Sequence, residues 1–222
     1  MSSKVDVPVT PPAERTIGQL VADTLRLYGA HFWRSLALGL GPATIMISLL
    51  KLDGSVVRFV FALTAGSLIA AICYIGAILI AFDVTAEVRT VLTALALAML
   101  IFVPTWFLEI FFVLPAVAWF AFVGLAVPAA LVEGCGFRAS LSRGITLARA
   151  DYVHVLGGLA TLVLVALLTS TAMFLTVRAG SGQAAAIVAF LAFLVISPVL
   201  FLGSALLYHD QKARAAVKSA SR

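Results

Sequence analysis

Apolar, uncharged tracts alternate with short charged intervals along this chain, and the charged residues serve as rulers for the tracts between them. A helix of about 20 apolar residues, rising 1.5 Å per residue, crosses the roughly 30 Å of bilayer hydrocarbon. Tracts of that order run from Arg34 to Lys51, Arg58 to Asp83, Arg89 to Glu109, Glu109 to Glu133, Asp151 to Arg178 and Arg178 to Asp210. The pattern predicts six spans, at about 32–51, 59–82, 90–108, 111–132, 152–177 and 184–208. From Thr90 to Val132 only Glu109 is charged. As one helix this stretch would be about 64 Å long, twice the membrane, so it folds back once. The turn is expected near Glu109, with a kinked or re-entrant geometry at Pro104 as the alternative.

Two segments are amphipathic instead. In residues 16–31, Ile17, Leu20, Val21, Thr24, Leu25, Tyr28 and His31 recur at helical spacing, with Gln19, Asp23, Arg26 and Ala30 opposite. In residues 137–149, Phe137, Leu141, Ile145 and Ala148 form one stripe and Arg138, Ser142 and Arg149 another. Such helices lie in the headgroup plane or pack on the ends of a bundle. The two segments also share an order: Thr24-Leu25-Arg26 then His31-Phe32-Trp33, and Thr146-Leu147-Ala148-Arg149 then Tyr152-Val153-His154, each before a span. This hints at two parallel helix–span–span units of the kind found in transporters.

Composition sharpens the class. Of 222 residues 63% are hydrophobic and 11% charged, with mean hydropathy +1.13. A soluble domain is about 45–50% apolar and about 25% charged. The expected fold class is all-α: a polytopic transmembrane helical bundle of six spans plus two interfacial amphipathic helices. Residues 1–15, with acids, prolines and no apolar core, read as a disordered tail rather than a secretory signal, and 211–222 as a basic C-terminal tail.

Charge sets the orientation. With the N-terminus in the cytosol, the inside holds Lys4, Arg15, Arg26, Arg34, Arg89, Arg138, Arg143, Arg149, Lys212, Arg214, Lys218 and Arg222; the outside holds Lys51, Arg58 and Arg178. The Lys/Arg bias of cytosolic loops therefore favours a multi-pass protein of the bacterial plasma membrane with both termini cytosolic. The net charge of +5 is assigned to that bias and to anionic lipid headgroups, not to nucleic acid. A cytosolic or membrane protein partner is a further expectation.

Small residues in the second span (Gly66, Ala70, Cys73, Ala77, Ala81) and in the sixth (Ala185, Ala189, Ala192) share helix faces that should point into the bundle. Pro42 and Pro198 should free carbonyls that need protein partners. Cys73 and Cys135 read as free thiols. No nucleophile elbow, zinc-protease pair or phosphate loop is present, so no catalytic residue, metal or cofactor is expected. Glu109 is the candidate intramembrane polar group. His31 and His154 read as interfacial anchors. Glu133, Arg138, Arg143, Asp210 and Arg214 are candidates for a polar network at the cytosolic face, and Arg138, Arg149 and Trp33 for lipid contact. The expected role is non-catalytic, through helix packing, lipid contact or partner recruitment. The alternative, a small transporter or channel, predicts a polar cavity between the repeats.

Three short motifs carry a resemblance: Thr16-Ile17-Gly18-Gln19-Leu20 ahead of an aromatic-rich span, Glu133-Gly134 before Leu141-Ser142-Arg143 and Leu147, and a terminal Leu206-Leu207-Tyr208-His209-Asp210-Gln211-Lys212-Ala213-Arg214. Together they resemble bacterial multi-span proteins of the glycerophosphodiester phosphodiesterase membrane-domain type and related uncharacterised families. In members that are phosphodiesterases, hydrolysis belongs to a separate barrel for which these residues leave no room. The resemblance implies a stand-alone cytoplasmic-membrane protein and supplies no functional residues.

Overall fold

The computed structural model describes residues 12–177 and 182–220, and all its regular structure is helical. After a single 3-10 turn, Pro12–Glu14, the helices are α1 (Ile17–Ala30), α2 (Phe32–Lys51), α3 (Ser55–Phe61), α4 (Ser67–Phe82), α5 (Val88–Glu109), α6 (Val113–Val123), α7 (Ala126–Glu133), α8 (Phe137–Ala150), α9 (Tyr152–Val177) and α10 (Gly182–Ala220). A π turn, Ala62–Gly66, joins α3 to α4, and α6 and α7 follow one another, so that six units are long and apolar enough to cross a membrane. The chain is an all-α helical bundle of an integral membrane type.

Local chemistry explains the boundaries. Thr16 caps α1: its hydroxyl accepts from the Gln19 amide, while the Gln19 side chain accepts from the Thr16 amide. This reciprocal pair satisfies two donors that a helix start leaves open. Asp151 caps the start of α9 with a single bond, its carboxylate accepting from the His154 amide at 3.2 Å. Helix α5 runs straight through Pro104, and the hairpin turns at Ile110–Phe112, immediately after Glu109. The fold-back at Pro104 is thereby excluded. The fourth span breaks at Gly124-Leu125 because Pro128, four residues on, cannot donate to the Gly124 carbonyl. The buried Tyr74 hydroxyl donates to that carbonyl instead, at 3.2 Å.

Two expected tails are shorter than the sequence suggests. Residues 1–11 lie outside the described set, but Arg15 is buried. Helix α10 continues past Tyr208 to Ala220, because Asp210 and Gln211 are themselves buried and Arg214 is tied to neighbouring elements. Residues 221–222 lie outside the described set.

Close packing uses the small residues. Gly66, Ala70, Cys73 and Ala77 are buried and Ala81 is half-buried. In α10, Ala192 is buried and Ala189 half-buried, while the side chain of Ala185 lies outside the described residues. Gly39 of α2 lies so near the Leu194 carbonyl oxygen that any β-carbon there would overlap it. Pro198 is the residue that leaves this carbonyl without its helical donor. Glycine thus lets α2 close onto the part of α10 where Pro198 removes a helical donor.

The amphipathic helices are seated differently from their simple stripes. On α1 the buried residues are Leu20, Asp23 and Thr24, while Leu25 is exposed. The expected polar side therefore turns inward at Asp23, which has an ion-pair partner there. On α8 the buried residues are Ser140, Gly144, Leu147 and Ala148, with Phe137 exposed. Gly144 allows α8 to sit directly on the first turn of α7 at Ala126.

Candidate functional site

Two places in the bundle concentrate polar or unfilled structure, and they lie at opposite ends. The first is the end where α1, α7, α8, the start of α9 and the last third of α10 meet. Arg15, 1% exposed, donates from Nη1 to Asp210 Oδ1 at 2.7 Å, and its Nε lies 3.2 Å from Asp23 Oδ2. Arg26 holds the other Asp23 oxygen at 2.9 Å. Arg214 donates to Asp151 at 2.8 Å and to the Arg15 backbone carbonyl at 2.9 Å. His154 Nε2 stands 3.9 Å from Asp210 Oδ2. Arg15 thereby links the approach to α1 to the end of α10 through charges removed from water. Such a pair must be kept together, because a lone buried charge is expensive.

A second, wetter group sits beside it. Glu133 accepts from Tyr208 Oη at 2.8 Å and from Arg143 Nε at 3.1 Å, and Lys212 Nζ is 3.2 Å away. Gly134, in the left-handed conformation at φ 67°, ends α7 so that Glu133 can face both α8 and α10.

The candidate residues are distributed as follows. Glu133 and Arg143 meet; Asp210 and Arg214 join the buried group but pair with Arg15 and Asp151 respectively. Arg138 is exposed and takes no part in these pairs. Arg149 lies over the Phe122 ring at 5.5 Å, and Trp33 is 79% exposed and packed edge-on against Phe32. His154 is inside the ionic group instead of standing in an aromatic belt. Sequence reasoning misses Arg15 and Asp23, whereas Asp151 is one of the charges it places at the cytosolic ends of the spans. The available signal is Arg15 itself, fixed one residue before a strong helix cap and thus unable to swing away from the bundle.

The second place is a cavity of about 480 Å³ in the opposite half, within the usual range for small-molecule pockets. All six spans contribute to its wall, from Ala70 and Ser204 at mid-bundle to Leu49, Glu109 and Val113 beside the α5–α6 turn. The lining is almost entirely apolar, unlike the polar cavity that a transporter predicts. Ser197, Ser204 and Thr105 turn their hydroxyls back onto the Phe193, Leu200 and Ile101 carbonyls of their own helices. The Trp119 indole donates to the Ile101 carbonyl at 3.1 Å, fixing α6 against α5 beside the cavity.

Among the described residues no group of His, Cys, Asp and Glu could hold a metal ion, and Cys73 and Cys135 are free. No family model, no curated protein and no solved structure matches this chain.

Proposed function

We propose that this chain is a non-catalytic multi-pass protein of the bacterial plasma membrane that holds a single apolar chain inside its bundle. The apolar cavity carries the reading: a space of about 480 Å³ with so little polar lining does not retain water, and in a bilayer its natural occupant is hydrocarbon. Both termini lie in the cytosol in this reading. Arg15, Arg26, Arg34, Arg89, Arg138, Arg143, Arg149, Lys212, Arg214 and Lys218 belong to the ionic end of the bundle, and Lys51 and Arg58 to the other, which supports that orientation. Exposed Arg138 and Arg149 then face anionic headgroups, and the cavity opens toward the outer leaflet. The likeness of the short motifs to the glycerophosphodiester phosphodiesterase membrane-domain type fits a membrane part that works without hydrolysis.

The test is native mass spectrometry of protein extracted in a mild detergent. The expected result is one retained lipid or lipid-like mass per chain, lost in Ala116→Phe, which fills the cavity from α6. A wild-type chain that carries no more bound mass than Ala116→Phe would overturn the reading.

A further inference from the structure

We infer that the molecule held in this cavity is an amphiphile with a cationic, ammonium-type head seated at Glu109. The inference rests on the apolar-chain reading and adds the chemistry of the head.

Three observations carry it. Glu109 is the one acidic residue among those that line the cavity, and it stands at the rim, touching the space while its side of the turn is exposed. No ion pair or hydrogen bond engages its carboxylate among the described residues. The nearest basic side chains in the chain order of this end are turned elsewhere: Arg58 donates from Nε to the Leu52 carbonyl at 2.8 Å, and Lys51 is exposed. An unpaired carboxylate at the mouth of an apolar space offers the head of an amphiphile an ion pair that, among the described residues, no protein group supplies.

The second wall group points the same way. Trp106 precedes Glu109 by three residues on α5, so the two share a helix face, and both line the cavity. Indole is the strongest aromatic partner for a cation, and methylated ammonium groups are recognised by this combination of ring face and carboxylate. An anionic head would meet the Glu109 charge with no basic side chain among the described lining residues to offset it. Below the rim, Phe102, Phe120 and Phe201 line the space with aromatic carbon.

The experiment uses the full chain carrying Trp33→Phe, which removes the tryptophan at the far end and leaves Trp106 and Trp119 beside the cavity. Quenching of their fluorescence is followed with 12-bromododecyltrimethylammonium, 12-bromododecanol and 12-bromododecyl sulfate. The ammonium compound is expected to bind at least tenfold more tightly than the alcohol, the sulfate more weakly than either, and Glu109→Gln to close the ammonium–alcohol gap to less than twofold. A further arm, phosphatidylethanolamine with a brominated tail in nanodiscs, separates the sources of the head: quenching sensitive to Glu109→Gln assigns a bilayer lipid, and quenching by the single-tailed compound alone assigns a free amphiphile. Equal binding of alcohol and ammonium, or a gap that survives Glu109→Gln, would overturn the cationic head while leaving the apolar-chain reading standing. Absence of quenching by all three compounds would overturn both.

Discussion

The two ends of this bundle are held by different physics. At the ionic end, Arg15, Asp210 and Tyr208 are buried to within 1% of full coverage, and the apolar residues packed around them come from α1, α6, α7, α8, α9 and α10. At the other end Phe111, Phe112 and Leu114 are each more than 60% exposed, α3 has no buried residue, and the centre is a cavity. In lipid, apolar surface alone drives little association between helices; close packing and polar contacts supply it. The molecule gathers its buried ion pairs at one end. That end is a fixed base, and the other is free to accommodate something.

The largest expected effect tests the base. Asp210→Ala leaves Arg15 charged and buried beside Asp23 alone, a loss of about 3–5 kcal/mol measured by denaturant unfolding in micelles. The pair Arg15→Met with Asp210→Leu removes both charges, leaves Asp23 with Arg26, and should recover most of that loss. A cost for Asp210→Ala no greater than that of Leu114→Ala at the opposite end would erase the contrast between the two ends. Next in size is Gly39→Val, which forces α2 away from the Leu194 carbonyl between the two ends; about 3 kcal/mol is expected, read as a lowered midpoint. The smallest effect belongs to the wetter half of the base. Arg143→Ala removes a half-exposed partner of Glu133, which keeps Tyr208 and Lys212, so less than about 1 kcal/mol should be lost. Arg138→Ala, at an exposed position, should leave unfolding unchanged.

What is legible in the sequence follows from what is local. The six spans are read from tract length and charge because a bilayer imposes both on each helix separately. The hairpin beside Glu109 is read for the same reason, while Pro104, the alternative turn, lies inside α5, since a proline is tolerated within a membrane-spanning helix. Glu133 and Arg143 are ten residues apart across one turn, close enough to pair by inspection. Arg15 and Asp210 are 195 residues apart, and no periodicity announces them. Their pairing also reverses the apparent polar side of α1, since Asp23 turns inward to meet Arg15. The cavity is the least legible feature: it is a shortfall in how six helices meet, and its lining residues look like any apolar core positions.

The π turn at Ala62–Gly66 has a separate consequence. One residue more than a regular helix needs is accommodated there, with Ser67 Oγ donating to the Ala62 carbonyl across it. Below that girdle α4 is locked among its neighbours; above it none of the seven residues of α3 is buried. Excising a single residue from the girdle would spin α3 by about 100° and leave α4 in register. This span therefore carries its own slip joint, a point where gene-level insertions and deletions can be absorbed without misaligning α4.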